Sequence, residues 1–177
     1  MQLIVDTLLP FDRSLVFRTY RDELPKLVEL VPNVRRVVVL SREDEGLISR
    51  LVNEWEGGGE IPAAARMVIG DSMLGWTDYA TWNETAWTCE WRIETRAFRE
   101  AVKCHGVNTY LEQGSGQTRI EIRGDLLIDT SKIRGVPKLL SKKVGNAVSE
   151  FLCAKVTPNL KATNEGLGRY LERREAS

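Results

Sequence analysis

From Pro137 to about Arg174 the apolar positions recur in steps of three and four: Leu140, Val144, Val148, Phe151 with Leu152, Val156 and Leu160. That spacing puts them on one stripe of a single long amphipathic helix. Upstream the period changes to two, and residues 35–129 read as successive strands with almost no helix between them. In Ala86–Thr95, Trp87, Cys89, Trp91 and Ile93 share one face while Thr88, Glu90, Arg92 and Glu94 take the other. In Thr118–Asp129, Ile120, Ile122, Leu126 and Ile128 oppose Arg119, Glu121, Arg123, Asp125 and Asp129. Polar-out alternation in neighbouring hairpins predicts an antiparallel sheet with one covered face. A helix stripe that long needs a wide apolar surface over it, and such a sheet supplies one. A sheet wrapped around a helix encloses a hollow, and function is expected there.

The remaining elements follow from punctuation. Residues 2–9 alternate weakly as a strand ending at Pro10, and Asp12 caps a short helix over Arg13–Arg21. A second short helix covers Glu23–Leu30, with Pro25 in its first turn, and Val31-Pro32-Asn33 stops it. Strands Arg35–Arg42 and Leu47–Glu56 form a hairpin through Asp44-Glu45-Gly46. Gly57-Gly58-Gly59 is the loosest segment; without a following Lys-Ser/Thr and helix it is a connector and not a phosphate loop. A strand from about Met67 to Trp82, with a break near Asp71 or Gly75, turns at Asn83-Glu84-Thr85. Another covers Ala101–Gln113, with Gly106 as a bulge or a close-approach point, and Gly114-Ser115-Gly116 makes the last hairpin. Pro158 is expected to kink the long helix, and Gly166 and Gly168 to loosen its last part.

The chain has 177 residues, enough for one domain over 1–177 with a substantial core. No apolar run approaches the roughly 20 residues that span a bilayer. Met1–Asp6 lacks a basic leader and is a poor signal peptide. Cys89, Cys104 and Cys153 form no CxxC and read as reduced, partly buried thiols of a cytoplasmic protein. The net charge is zero, yet residues 130–177 hold ten Lys or Arg against four Glu. Such a face is either solvated or meets an anionic head group or acidic partner, with at most peripheral membrane contact. No dense basic run or binding motif points to nucleic acid.

The chain resembles the START-like (SRPBCC) superfamily in several places. They are the opening Phe11-Asp12-Arg13-Ser14-Leu15-Val16-Phe17 helix, Leu24-Pro25-Lys26-Leu27 leading to Val31-Pro32-Asn33-Val34, the Trp76–Glu94 hairpin, and Lys155-Val156-Thr157-Pro158-Asn159-Leu160. The likeness is to bacterial members grouped with polyketide cyclases, dehydrases and lipid-transport proteins. It implies an α+β helix-grip fold, a curved antiparallel sheet wrapped around the long helix, with an internal cavity for an apolar small molecule. It carries no catalytic signature.

Candidate chemistry is sparse. With His105 the only histidine, a multi-histidine metal site is excluded, and no cofactor is implied. Cys104 and His105 are adjacent on a strand and point apart, so they make no nucleophile pair. His105 is either a lone general base or a solvent-facing strand residue beside Lys103, and the pattern favours the second. Five tryptophans lie in the sheet region: Trp55, Trp76, Trp82, Trp87 and Trp91. They either line a cavity or fill a core. Parity places Leu47, Leu51 and Trp55 on one face of their strand, and puts Asp78 with Trp76, Ala80 and Trp82. A carboxylate on a covered face needs a partner, so Asp78 is either a ligand anchor or base, or a residue at a wet strand edge. Asn108 and Tyr110 share a face and offer hydrogen bonds.

The expected ligand-binding set is therefore Leu51, Trp55, Trp76, Asp78, Trp82, Trp91, Asn108, Tyr110, Ile120, Ile122, Val148 and Phe151, with Gly57–Gly59 and Ile61–Ala65 as a gate. Three functions compete. The first is binding of a lipid or polyketide-like molecule. The second is a cyclase or dehydratase using Asp78, His105 or Tyr110. The third is a protein-interaction module with a filled core.

Overall fold

The computed structural model of the chain describes residues 1–58, 60–61, 66, 70, 73–133 and 141–176. Strand β1 (Gln2–Leu9) leads into helix α1 (Arg13–Leu27), whose N-terminus is capped by the Asp12 carboxylate accepting from the Ser14 amide. A 3₁₀ turn, Val28–Leu30, follows. Six further strands then run in sequence: β2 (Val34–Glu45), β3 (Ile48–Gly57), β4 (Gly75–Asn83), β5 (Thr88–Thr95), β6 (Val102–Glu112) and β7 (Thr118–Ile128). A 3₁₀ turn at Thr130–Lys132 precedes the long helix α2, Ser141–Glu175.

All seven strands form one antiparallel sheet in the order β1-β7-β6-β5-β4-β3-β2. Every consecutive pair from β2 to β7 is a hairpin partner, and β1 closes onto β7. The helix-grip architecture expected from the sequence is thus the architecture observed. The inner face carries the core, from Leu3 and Val5 on β1 to Leu51 on β3 and Ile120 and Ile122 on β7.

Several local expectations need correction. The two short helices run together as α1, but the boundary between them stands as a kink at Glu23 (φ −119°, ψ 15°), two residues before Pro25, and the second ends at Leu27. The first hairpin turns at Gly46-Leu47, with Gly46 in the left-handed region and Glu45 paired with Ile48, so Leu47 is an exposed turn residue and not part of the inner face. The fourth strand begins at Gly75; residues 67–69, 71 and 72 of the longer strand expected there lie outside the described residues. Trp87 ends in the turn before β5 with φ +55°, off the alternating face assigned to it. Gly106 is a close-approach point and not a bulge. It pairs with Gly124, and a Cβ there would come 2.5 Å from the Trp91 ring.

Helix α2 runs through Pro158 without a break, and Gly166 and Gly168 do not loosen it. A Cβ at Gly166 would lie 3.1 Å from the Leu30 carbonyl oxygen, and one at Gly168 3.0 Å from Leu9. These glycines let the helix press onto β1 and the first 3₁₀ turn. Gly145 does the same at the other end, where a Cβ would meet Thr130 at 2.9 Å. The helix is pinned at both ends by glycines. Polar contacts reinforce the far pin, because Tyr170 and Arg174 both reach Glu23 at the α1 kink, at 2.6 and 3.0 Å. Arg169 also donates to the Leu30 carbonyl. Part of the basic excess of this helix is spent on the molecule itself.

Candidate functional site: a cavity under the middle of the long helix

Between its pins the helix stands off the sheet. Its main backbone approaches are to β1, β7, α1 and the two 3₁₀ turns, not to β3, β4 or β5. The space left is a cavity of about 200 Å³. Its floor is built by inward residues of four strands: Asn53 and Trp55 of β3; Trp76, Asp78, Ala80 and Trp82 of β4; Trp91 and Ile93 of β5; Cys104 and Asn108 of β6. Its roof is the helix span from Phe151 to Leu160. Tyr20 and Leu24 close the α1 end, and Met73, Leu74 and Phe98 stand at the rim.

The roof explains an oddity of burial. Val144 and Val148 at one end of the stripe, and Leu167 and Leu171 at the other, are 0–1% exposed. Phe151, Leu152, Val156 and Leu160 between them are only half-buried, because what faces them is empty space. Lys155 and Asn159 lie one helical turn apart along the same roof.

Each aromatic of the floor is held in place. The rings of Trp55 and Trp76 stack at 5.4 Å with an interplanar angle of 15°. The Trp91 ring lies over the side-chain-free Gly106–Gly124 pair and donates its indole N–H to Asn108 Oδ1 at 2.8 Å. Phe98 holds its ring at the rim from a left-handed backbone (φ 56°), a conformation that costs a non-glycine residue energy.

Asp78 is the charged group of this floor. Its carboxyl accepts from Asn53 Nδ2 at 3.1 Å, and no lysine or arginine pairs with it among the described residues. Burial raises its pKa to about 6, while Asn53 and the nearby Trp55 indole N–H pull the other way. Burial also raises Tyr20, Cys89 and Cys104, the last to about 12, so these neighbours stay neutral at ordinary pH.

Of the residues expected in the site, Trp55, Trp76, Asp78, Trp82, Trp91, Asn108 and Phe151 line the cavity. The other five do not. Leu51 is packed core two residues along β3 from Asn53. Tyr110 sits beneath Phe17 of α1, ring centroids 5.0 Å apart, and the Phe17 ring also meets Trp82 and Trp87 edge-on. That aromatic plug fills the α1 end. Ile120 and Ile122 are fully buried on β7, in the half of the sheet the helix presses against. Val148 packs with Val144 and Ile61 at the near pin. His105 is exposed on the outer face of β6, outside the cavity, as is consistent with a solvent-facing strand histidine.

The tryptophans divide. Trp55, Trp76 and Trp91 line the void; Trp82 lines it and also packs on Phe17; Trp87 is only plug, with Arg13 over its ring at 4.5 Å. A filled core is therefore not what the described residues show.

Gly57 and Gly58 are not loose. Their amides donate to the Leu74 and Asn33 carbonyl oxygens at 2.5 and 2.8 Å. Gly59 and residues 62–65 of the expected gate lie outside the described residues.

Sequence reasoning missed Asn53, which shares the parity of Leu51 and Trp55. It also missed Lys155 and Asn159, which follow Phe151 at four-residue steps. Among the described residues no group of His, Cys, Asp and Glu side chains is arranged to hold a metal, and no helix is long and apolar enough to cross a membrane.

No protein-family model and no curated protein matches this sequence. Solved structures do match it along nearly its whole length. An aromatase/cyclase from Streptomyces sp. R1128 superposes with a TM-score of 0.66 at 11% identity, covering 98% of this chain and 94% of that one. Norcoclaurine synthase from Thalictrum flavum, solved with dopamine and hydroxybenzaldehyde, gives 0.63 at 10% identity over 98% and 87%. A protein of Thermus thermophilus gives 0.62 at 16% identity over 96% and 95%. Identities this low establish a shared fold. It is the helix-grip fold that the sequence resemblance implied.

Proposed function

We propose that the chain acts as one ligand-binding unit that takes up an apolar small molecule, lipid-like or polyketide-like, into the cavity beneath α2. The observation that carries this reading is the void itself. The helix is pinned by glycines at both ends, and its half-buried apolar midspan faces tryptophans across about 200 Å³ of empty space. An apolar cavity of roughly 150 Å³ is enough to bind benzene, so one or two fused rings or a short acyl segment fit here. Burying apolar ligand surface contributes roughly 25 cal/mol per Å², which gives useful affinity from the walls alone.

Native mass spectrometry of the protein purified from its host tests the reading. A co-purifying small molecule, released on unfolding, is the expected result. A ligand-free mass, together with no displacement of an apolar dye by fatty acids or aromatic probes, would overturn it.

A second reading, catalysis in the same cavity, is favoured by one observation. The Asp78 carboxyl, with its pKa pushed up to about 6, is matched to proton transfer near neutral pH. Structural relatives that are an aromatase/cyclase and a synthase support it at the level of fold. Replacing Asp78 with Asn should then abolish turnover in a protein that still takes up the ligand.

A further inference from the structure

Sequestration by apolar walls leaves polar atoms of the floor unused. Asn53 and Trp55 project from the same face of β3, and Asp78 sits opposite Asn53 on β4. Asn53 Nδ2 donates to one carboxylate oxygen of Asp78. Asn53 Oδ1 and Trp55 Nε1 are buried and unpartnered, in residues only 1% and 8% exposed. Buried polar groups are nearly always satisfied, so two orphans, one acceptor and one donor, beside a buried carboxyl on a cavity wall point to a missing partner.

We infer that the cavity is selective for a ring-borne hydroxyl group, phenolic or enolic, which donates to Asp78 or Asn53 Oδ1 and accepts from the Trp55 indole N–H. This rests on the ligand-binding reading above and specifies the chemistry of the ligand. The patch offers two acceptors and one donor, so the group that completes it must both give and take a hydrogen bond. A hydrocarbon leaves both atoms orphaned. An ether or ketone oxygen satisfies Trp55 and leaves Asp78 bare. A carboxylate would place a second negative charge beside the first. An ammonium meets the acceptors and leaves the indole N–H unpaired. A hydroxyl does both, and the parallel Trp55–Trp76 pair beside it suits the flat ring that carries it. The raised pKa of Asp78 agrees, because a buried carboxylate with no cation beside it is under-solvated until a ligand supplies a further hydrogen bond.

Titration calorimetry with naphthalene, 2-naphthol and 2-methoxynaphthalene tests the assignment on the wild type, Asp78→Leu, Asp78→Asn and Asn53→Leu. The wild type should bind 2-naphthol at least about tenfold more tightly than either of the other two. Asp78→Leu should keep its naphthalene affinity and lose the preference, and Asp78→Asn and Asn53→Leu should lose part of it. Equal wild-type affinity for all three probes would overturn the hydroxyl assignment and leave the cavity reading standing. So would a preference undiminished in Asp78→Leu. If no probe binds the wild type at millimolar concentration, the cavity reading fails and this inference falls with it.

Discussion

The two ends of this molecule use the same materials differently. At the α1 end, Phe17 meets Trp82, Trp87 and Tyr110 edge-on at 5.0–5.3 Å, and neither Phe17, Trp87 nor Tyr110 lines the cavity. Under the middle of α2, Trp55, Trp76 and Trp91 are as large and as apolar, yet they face a void. Composition does not separate the two regions; what faces the tryptophans does. The plug is closed because α1 lowers a phenyl ring into the sheet. The hollow stays open because Gly145, Gly166 and Gly168 fix the height of α2 at its ends, and its midspan cannot sink onto β3–β5. Close packing at the pins thus sustains loose packing between them.

Truncation should show this contrast most strongly. Phe17→Ala removes the centre of the plug and should cost about 3–5 kcal/mol in chemical denaturation. Phe151→Ala removes a ring of the same size from a wall already open to the cavity and should cost less than about 1.5 kcal/mol. Equal costs would break the comparison.

Asp78 sharpens it from the electrostatic side. Its folded pKa of about 6 lies above the ordinary value of 3.8, so ionising it works against the fold. The sign is therefore the reverse of a salt-bridged aspartate. This group's contribution is fully favourable below pH 4 and is lost as pH rises through the window from about 4 to 6. In the ligand-free protein, Asp78→Asn should gain about 3 kcal/mol over wild type at pH 7.5, and the gain should vanish near pH 4. A gain independent of pH would show that burial is not what raises the group.

A smaller effect belongs to the floor. Gly106→Ala drives a methyl group against the Trp91 ring and the Arg123 carbonyl, at 2.5 and 2.6 Å, and should cost about 1–3 kcal/mol. It should also tilt Trp91 into the cavity and weaken binding of any aromatic probe.

The sheet was legible because period-two alternation in Thr118–Asp129 and around Trp91 leaves no other covered face, and the helix because its stripe keeps a strict step of three and four. The site was half legible. Parity put Asp78 beside Trp76 and Trp82, and the same rule assigns Asn53, which carries no apolar mark to draw notice. Parity cannot tell cavity from core. Tyr110 and Asn108 share a face of β6, but only Tyr110 lies under Phe17, and that depends on where α1 crosses the sheet. Gly166 and Gly168 misled for a similar reason: propensity reads glycine in a helix as weakness, whereas packing here uses the missing side chain.

The central claim is tested most directly by the five indole N–H resonances in a nitrogen-15 correlation spectrum during titration with naphthalene. The account predicts that Trp55, Trp76 and Trp91 shift strongly and saturably, Trp82 less, and Trp87 not at all. Five unmoved resonances, or a Trp87 shift equal to that of Trp55, would contradict it.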